Sequence, residues 1–389
     1  MNCLKWSLCV GLLFCAGLLQ AQSGTQLLRR AKAETDPAQQ VRLLTQAVKK
    51  APNLAAAWHS RADAYLALGK HKQAVADYTR ALALTPKDPF RYYARALAYM
   101  QEHKYSLALP DLSKAISFKK DYPDFYLNRA RCAKALGQYT LAVADYKKYL
   151  SRRKQTPAVA QELAESYIYA YKYEQAEKPL QWLMRQEPSA PQSYYLLGRI
   201  RHNQGRLDEA VSYYSKAINR AEDFAPAYRY RAAAFKDMGE SEAAAEDYSK
   251  LVELTPEPIF YNRRGLVYEE MHQWDKALAD YTKTIELSPK WPIAYNNRGY
   301  VYLKQKKYAA ARADFETAIK LDDTLPTPYI NLAGLYWLQK KDRRNVYRHL
   351  EKALKRNFKD FDSLYDEDRK GWMFQGINKT AEFRAVMYQ

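Results

Sequence analysis

Two residue types recur in step along this sequence and could form charge pairs. Arginine stands at Arg61, Arg95, Arg129, Arg231, Arg264 and Arg298, and aspartate at Asp77, Asp111, Asp145, Asp247, Asp280 and Asp314. The arginines share position 7, and the aspartates position 23, of a segment of about 34 residues that recurs along the chain. Three further segments have neither residue and carry Leu163, Leu197 and Leu332 at position 7. Positions that change together are usually in contact, so the expected chemistry is a bidentate arginine–carboxylate pair. Such a pair is directional and fixes geometry more than it adds stability. These residues are therefore assigned to the scaffold and not to a ligand.

Other reactive chemistry is not supported. The sequence has no HExxH, no GxSxG and no phosphate-binding glycine loop, and its six histidines are scattered. Thirteen glycines leave little for active-site loops. The reading is therefore of a protein that is not an enzyme and has no cofactor and no metal site. The opening "MNCLKWSLCVGLLFCAGLLQAQ" has Lys5, an apolar run from Leu8 to Leu19, and small or polar residues around Ala21. That is the layout of a signal peptide over residues 1–21, and its apolar run falls short of the roughly 20 residues that span a bilayer. Phe14 before Cys15 argues against a lipoprotein signal. Export follows as the expectation, to a periplasm, an outer membrane or the exterior. Cys3, Cys9 and Cys15 leave with that segment, so Cys132 stays alone, and "NRARCAKAL" around it reads as a buried core helix.

The elements that must position these residues are helices in pairs. Units such as "AWHSRADAYLALGKHKQAVADYTRALALTP" and "AYNNRGYVYLKQKKYAAARADFETAIKL" read as two amphipathic helices joined by a short turn. In the unit starting at Ala55, the recurring positions hold Trp58, Ala62, Tyr65, Ala74, Tyr78, Ala81 and Pro86. This pattern resembles the tetratricopeptide repeat, and nine units begin near residues 55, 89, 123, 157, 191, 225, 258, 292 and 326. The resemblance implies an all-α fold, a right-handed superhelical solenoid of stacked antiparallel helix pairs. One unit cannot bury its apolar face alone, so stacking must make the core continuous. The expected organisation is a degenerate helix pair over 22–54, a basic block of three repeats over 55–156, and two divergent repeats over 157–224. Four repeats over 225–356 follow, the last divergent, with a cap over 357–389. The 157–224 stretch, with Pro179 inside a second helix, is expected to form a seam and not a linker.

The resemblance also implies that the first helices line a concave groove, with positions 2, 5, 6, 9, 12 and 13 facing into it. In the second and third units these positions give Phe90, Tyr93, Asn128, Arg131 and Lys134. Further on they give Arg199, His202, Arg229 and Lys236, then Asn262, Arg263, Asn297, Tyr300 and Asn331. Asparagines and cations there suit the backbone and carboxylates of an extended or acidic peptide. The carboxylate clamp of chaperone co-factors is not expected. Asn297 and Asn331 match only its middle element, and Asn262, Leu266, Asn296 and Tyr300 stand where lysine and asparagine are wanted.

Charge is uneven. Residues 22–156 hold 25 basic and 10 acidic residues, a net of +15, whereas residues 157–256 hold 12 and 15, a net of −3. "KKYLSRRKQTP" ends the basic block, and such an excess favours anionic partners. The primary expectation is a scaffold for protein partners in a cell envelope, with binding of anionic glycan or lipid as the alternative and nucleic acid disfavoured. Two triplets, Asp323-Thr324-Leu325 and Asp362-Ser363-Leu364, resemble O-glycosylation acceptors of exported Bacteroidota proteins, with helix capping as the simpler account. The tail segment "DFDSLYDED" lacks the glycine and spacing of a calcium loop.

Overall fold

The computed structural model describes residues 22–360, 362–365 and 371–387; the predicted signal peptide and its cleavage point lie outside them. Those residues form helices and turns with no strand among them. The chain divides into two compact units, one ending at Pro188 and the other beginning at Ser189. This boundary falls inside the stretch expected to form a seam.

The first unit holds α1 (residues 22–33), α2 (Pro37–Lys50), α3 (Ala55–Ala67), α4 (His71–Leu84) and α5 (Pro89–Gln101). It continues with α6 (Tyr105–Phe118), α7 (Pro123–Ala135), α8 (Tyr139–Leu150), α9 (Pro157–Tyr169) and α10 (Tyr173–Gln186). The second unit holds α11 (Pro191–Asn203), α12 (Leu207–Ile218), α13 (Ala225–Met238), α14 (Ser241–Leu254) and α15 (Pro258–Glu270). It continues with α16 (Trp274–Leu287), α17 (Pro292–Lys304), α18 (Tyr308–Leu321), α19 (Thr327–Lys340) and α20 (Arg343–Leu354). Two 3-10 turns (Asp362–Leu364 and Gly371–Phe374) and α21 (Ala381–Met387) close it. Within each unit consecutive helices pack on one another, so each is an all-α solenoid of stacked hairpins.

Local chemistry sets the helix ends. Proline opens α5, α7, α9, α11, α15 and α17, where its missing N–H costs nothing. Asp36, Asp88, Thr156 and Asp342 cap α2, α5, α9 and α20 by accepting from backbone N–H groups of the first turn. From α3–α4 onward the turn inside each hairpin has one left-handed residue, and only Gly69, Gly137, Gly205 and Gly239 supply it without strain. His103, Tyr171, His272, Lys306 and Lys341 take the same conformation with a side chain. The next N–H then reaches back to the first helix, as in Lys70 N–H to Tyr65 O at 2.8 Å and Lys307 N–H to Tyr302 O at 2.8 Å.

Packing follows the sequence pattern. Ala62, Ala96 and Ala130 at position 8 are fully buried. Where that position is glycine, an aromatic ring at position 24 presses on the backbone. A Cβ at Gly198 would lie 2.5 Å from Tyr214, one at Gly265 2.7 Å from Tyr281, and one at Gly299 2.8 Å from Phe315. Cys132 is fully buried among core residues, and burial pushes its thiol up to about 12. Pro179 is buried within α10, which runs through it as a continuous helix.

Candidate partner-binding face of the first helices

The repeating arginines are the most constrained polar groups of the hairpins. In each of the six, Nε and Nη2 donate to the two carboxylate oxygens of the aspartate sixteen residues on. Distances run from 2.6 Å at Arg61–Asp77 to 2.9 Å at Arg298–Asp314. The aspartates are buried. At Arg61, Arg95, Arg129, Arg264 and Arg298, the hydrogen bonds to aspartate hold the guanidinium protonated more firmly than usual.

Each arginine also has a third arm that the sequence reading did not anticipate. Nη1 donates to a hydroxyl on the second helix of the preceding hairpin: Thr45, Thr79, Ser113, Ser215, Ser249 and Thr282 in order. One guanidinium thus ties three helices. The signal was present, because position 25 is hydroxylic wherever the next unit has arginine. It is Lys147, Gln181 or Glu316 where the next unit has leucine. Leu163, Leu197 and Leu332 are themselves buried.

Most of the predicted groove positions are engaged with the neighbouring first helix. In the first unit, Phe90 and Tyr93 pack against Tyr122 and Phe125, with ring centroids 4.9–6.1 Å apart. Asn128 Nδ2 donates to the Tyr93 hydroxyl at 2.9 Å, and burial pushes that phenol up to about 12. Arg131 Nε donates to Glu162 at 3.2 Å, and Lys134 pairs with Glu165. These two cations, expected to face a partner, are ion-paired to α9 because its acids sit one helix away.

The second unit repeats the theme with other groups. His202 Nε2 lies 2.8 Å from Asp237, and Lys236 Nζ 2.8 Å from Glu270. Arg199 lies over Tyr195 and Tyr230. Asparagines form a chain across three first helices. Asn331 Nδ2 donates to Asn296 Oδ1 at 2.9 Å, Asn296 Nδ2 to Asn297 Oδ1 at 3.4 Å, and Asn297 Nδ2 to Asn262 Oδ1 at 3.2 Å. Asn262, Asn296 and Asn331 are buried, so much of their capacity is spent within the chain. Arg229 and Arg263, on α13 and α15, remain exposed. Tyr300 accepts from the tail residue Trp372 and is half-buried.

Glu269 is the unusual acid of this face. It accepts from the Tyr281 hydroxyl at 2.9 Å, and burial pushes its carboxyl to about 7. Two other sequence readings meet geometry here. Ser363 is buried and donates to Asp360 O, whereas Thr324 is exposed and bonds Asp322 through both its hydroxyl and its N–H. No group of three or more potential metal ligands occurs among the described residues.

Family models described as tetratricopeptide repeat or TPR repeat match residues 62–102, 93–158, 162–228, 258–290 and 292–325, together more than half of the chain. A tetratricopeptide repeat protein from Parabacteroides merdae is similar in structure at 18% identity, covering 63% of this chain and 97% of its own, with a TM-score of 0.51. The Cut9–Hcn1 tetramer of the APC/C aligns over 95% of this chain and 84% of its own at 13% identity, with a TM-score of 0.44. Yeast Tom70 aligns over 87% and 84% at 16% identity, with a TM-score of 0.43. No curated protein matches the sequence.

Proposed function

Because the chain belongs to the tetratricopeptide repeat family, whose members generally mediate protein–protein interactions, we propose that it is an exported scaffold for a cell-envelope complex. Its partners dock on the first-helix face, and they are acidic or offer an extended segment. The observation that carries this reading is the pair of exposed guanidiniums, Arg229 and Arg263, on successive first helices. Most other cations of that face are held by acids of the neighbouring helix, so these two can meet a carboxylate in bidentate fashion. Export rests on the signal-like opening residues. Among the described residues no helix is long and apolar enough to cross a membrane.

Affinity purification of the chain from Gln22 onward, out of the native envelope, tests this. The comparison is wild type against an Arg229→Ala/Arg263→Ala variant shown to be folded by circular dichroism. A partner recovered by wild type and lost by the variant supports the first-helix face. Equal recovery by both sinks that site assignment.

A second reading is supported by one feature of the first unit. Lys147, Lys148, Arg152, Arg153 and Lys154 are all exposed at the end of α8, and Arg152 donates to Lys120 O at 3.3 Å, beside Lys119. This surface suits an anionic glycan or lipid headgroup. Binding to anionic vesicles that fades with added salt, and is lost on replacing the five cations with alanine, would favour it.

A further inference from the structure

The C-terminal tail does two separable things. Phe374, Ile377, Phe383 and Met387 are buried in one core with Leu335 and Leu350, which closes the apolar end of the last hairpin. A cap needs no more than that. Trp372 instead reaches back past α19 to α17, one hairpin earlier. Its Nε1 donates to the Tyr300 hydroxyl at 3.2 Å, and the two rings meet edge to face, 6.2 Å apart at 72°. Lys304 Nζ stands 3.9 Å from the centroid of the indole. An ammonium at that distance over tryptophan is a strong cation–π contact. The neighbouring residue, Met373, is fully buried against Gly334.

Gly334 is the decisive detail. The helical glycines Gly198, Gly265 and Gly299 stand at position 8, where the hairpin's own aromatic requires them. Gly334 is at position 9, next to Ala333, and the three atoms nearest to a Cβ there all belong to Met373 of the tail, not to its own hairpin. A glycine inside a helix is less favourable than alanine, so its presence there needs a reason. A Cβ there would lie 2.8 Å from both Cβ and Sδ of Met373. Tyr300 is also at position 9, and Lys304 at position 13, both among the places expected to face a partner.

We propose that Tyr300, Lys304 and Gly334 form a binding subsite for an indole followed by a flexible apolar side chain, and that the chain's own Trp372–Met373 occupies it. The subsite supplies a hydroxyl acceptor for the indole N–H, a cation for its ring, and a bare backbone for the thioether. The tail therefore sets where the open first-helix face ends, leaving α13 and α15 to a partner. A segment of the same chemistry, from another chain, must compete with a tethered occupant whose effective concentration is on the order of millimolar. The inference stands whichever partner the α13–α15 face takes.

The test uses a fluorescent peptide of the tail sequence, RKGWMFQGINK, titrated against the full chain. Against a Trp372→Ala/Met373→Ala variant, the peptide should bind at least about tenfold more tightly than to wild type, whose subsite is filled. Adding Gly334→Leu to that variant should return binding to the wild-type level. Equal binding to all three proteins, or none to the vacated variant at millimolar peptide, overturns the proposal. Should the vacated variant fail to fold, hydrogen exchange on wild type decides. Amides of residues 371–377 should exchange by local opening, ahead of those in α17 and α19. Exchange only together with those helices would make the tail an inseparable part of the core and overturn the subsite.

Discussion

The hairpins built on arginine and those built on leucine solve one packing problem with different chemistry. In α15–α16 and α17–α18 a guanidinium ties both helices of its own hairpin to the preceding one. In α9–α10, α11–α12 and α19–α20, Leu163, Leu197 and Leu332 fill that place, and Pro179, Tyr213 and Arg348 stand where the aspartate would be. Helix lengths are similar in both classes. The close approach within a hairpin is thus set by the small residue at position 8, which both classes have. The arginine node adds direction: it selects one arrangement of three helices among several that apolar packing would allow.

The largest break in this comparison comes from removing half a node. Arg298→Ala leaves Asp314 buried without its cation, and a loss of about 3–5 kcal/mol is expected in urea unfolding followed by circular dichroism. Replacing both with leucine imitates the leucine class and should recover most of that loss. A double variant as unstable as the single would show that the node carries stability, contrary to the argument.

Position 8 gives the next effect. Gly299→Ala drives a Cβ to 2.8 Å from Phe315, and Gly198→Ala one to 2.5 Å from Tyr214. Each should cost about 1–3 kcal/mol. Similar costs in the arginine and the leucine hairpin would support a shared determinant of helix approach. A large difference would tie that approach to the node.

Thr282→Val removes only the third arm of Arg298 and should cost about 1 kcal/mol. No change in the urea midpoint would reduce the node to a simple pair.

One further effect is pH-dependent. Glu269 has a tyrosine hydroxyl as its hydrogen-bond donor, unlike the lysine-paired Glu165 of the leucine hairpin α9–α10. Its carboxyl titrates near 7 in the folded chain, against an ordinary value of 4.5. Between those values the unfolded chain has released a proton that the folded chain keeps, so stability falls as pH rises. Glu269→Gln should match wild type near pH 4 and be the more stable of the two at pH 8, read as a difference in melting curves.

Much of this architecture was legible in the sequence because it repeats. Nine aligned units make the hairpins, the small residue at position 8 and the matched Arg–Asp pairs visible without coordinates. The hydroxyl arm escaped because units were compared one at a time, and Thr282 belongs to the unit before Arg298. The ion pairs of Arg131, Lys134 and Lys236 escaped for a related reason. Their acids, Glu162, Glu165 and Glu270, lie on the next first helix and follow no fixed position. Trp372 could not be read at all, since the tail breaks the period and offers no aligned position to compare.

The three-armed node also bears on how such a chain can grow. Its parts start on the second helix of one hairpin and finish on the second helix of the next, as from Thr282 through Arg298 to Asp314. The block that can be copied or lost without damage is therefore out of phase with the hairpin the eye picks out. A duplication cut between Thr282 and Arg298 would set an arginine beside whatever second helix came to precede it, with no assurance of a hydroxyl. Leucine at position 7 makes no such demand, so the leucine hairpins are the natural joints for insertion.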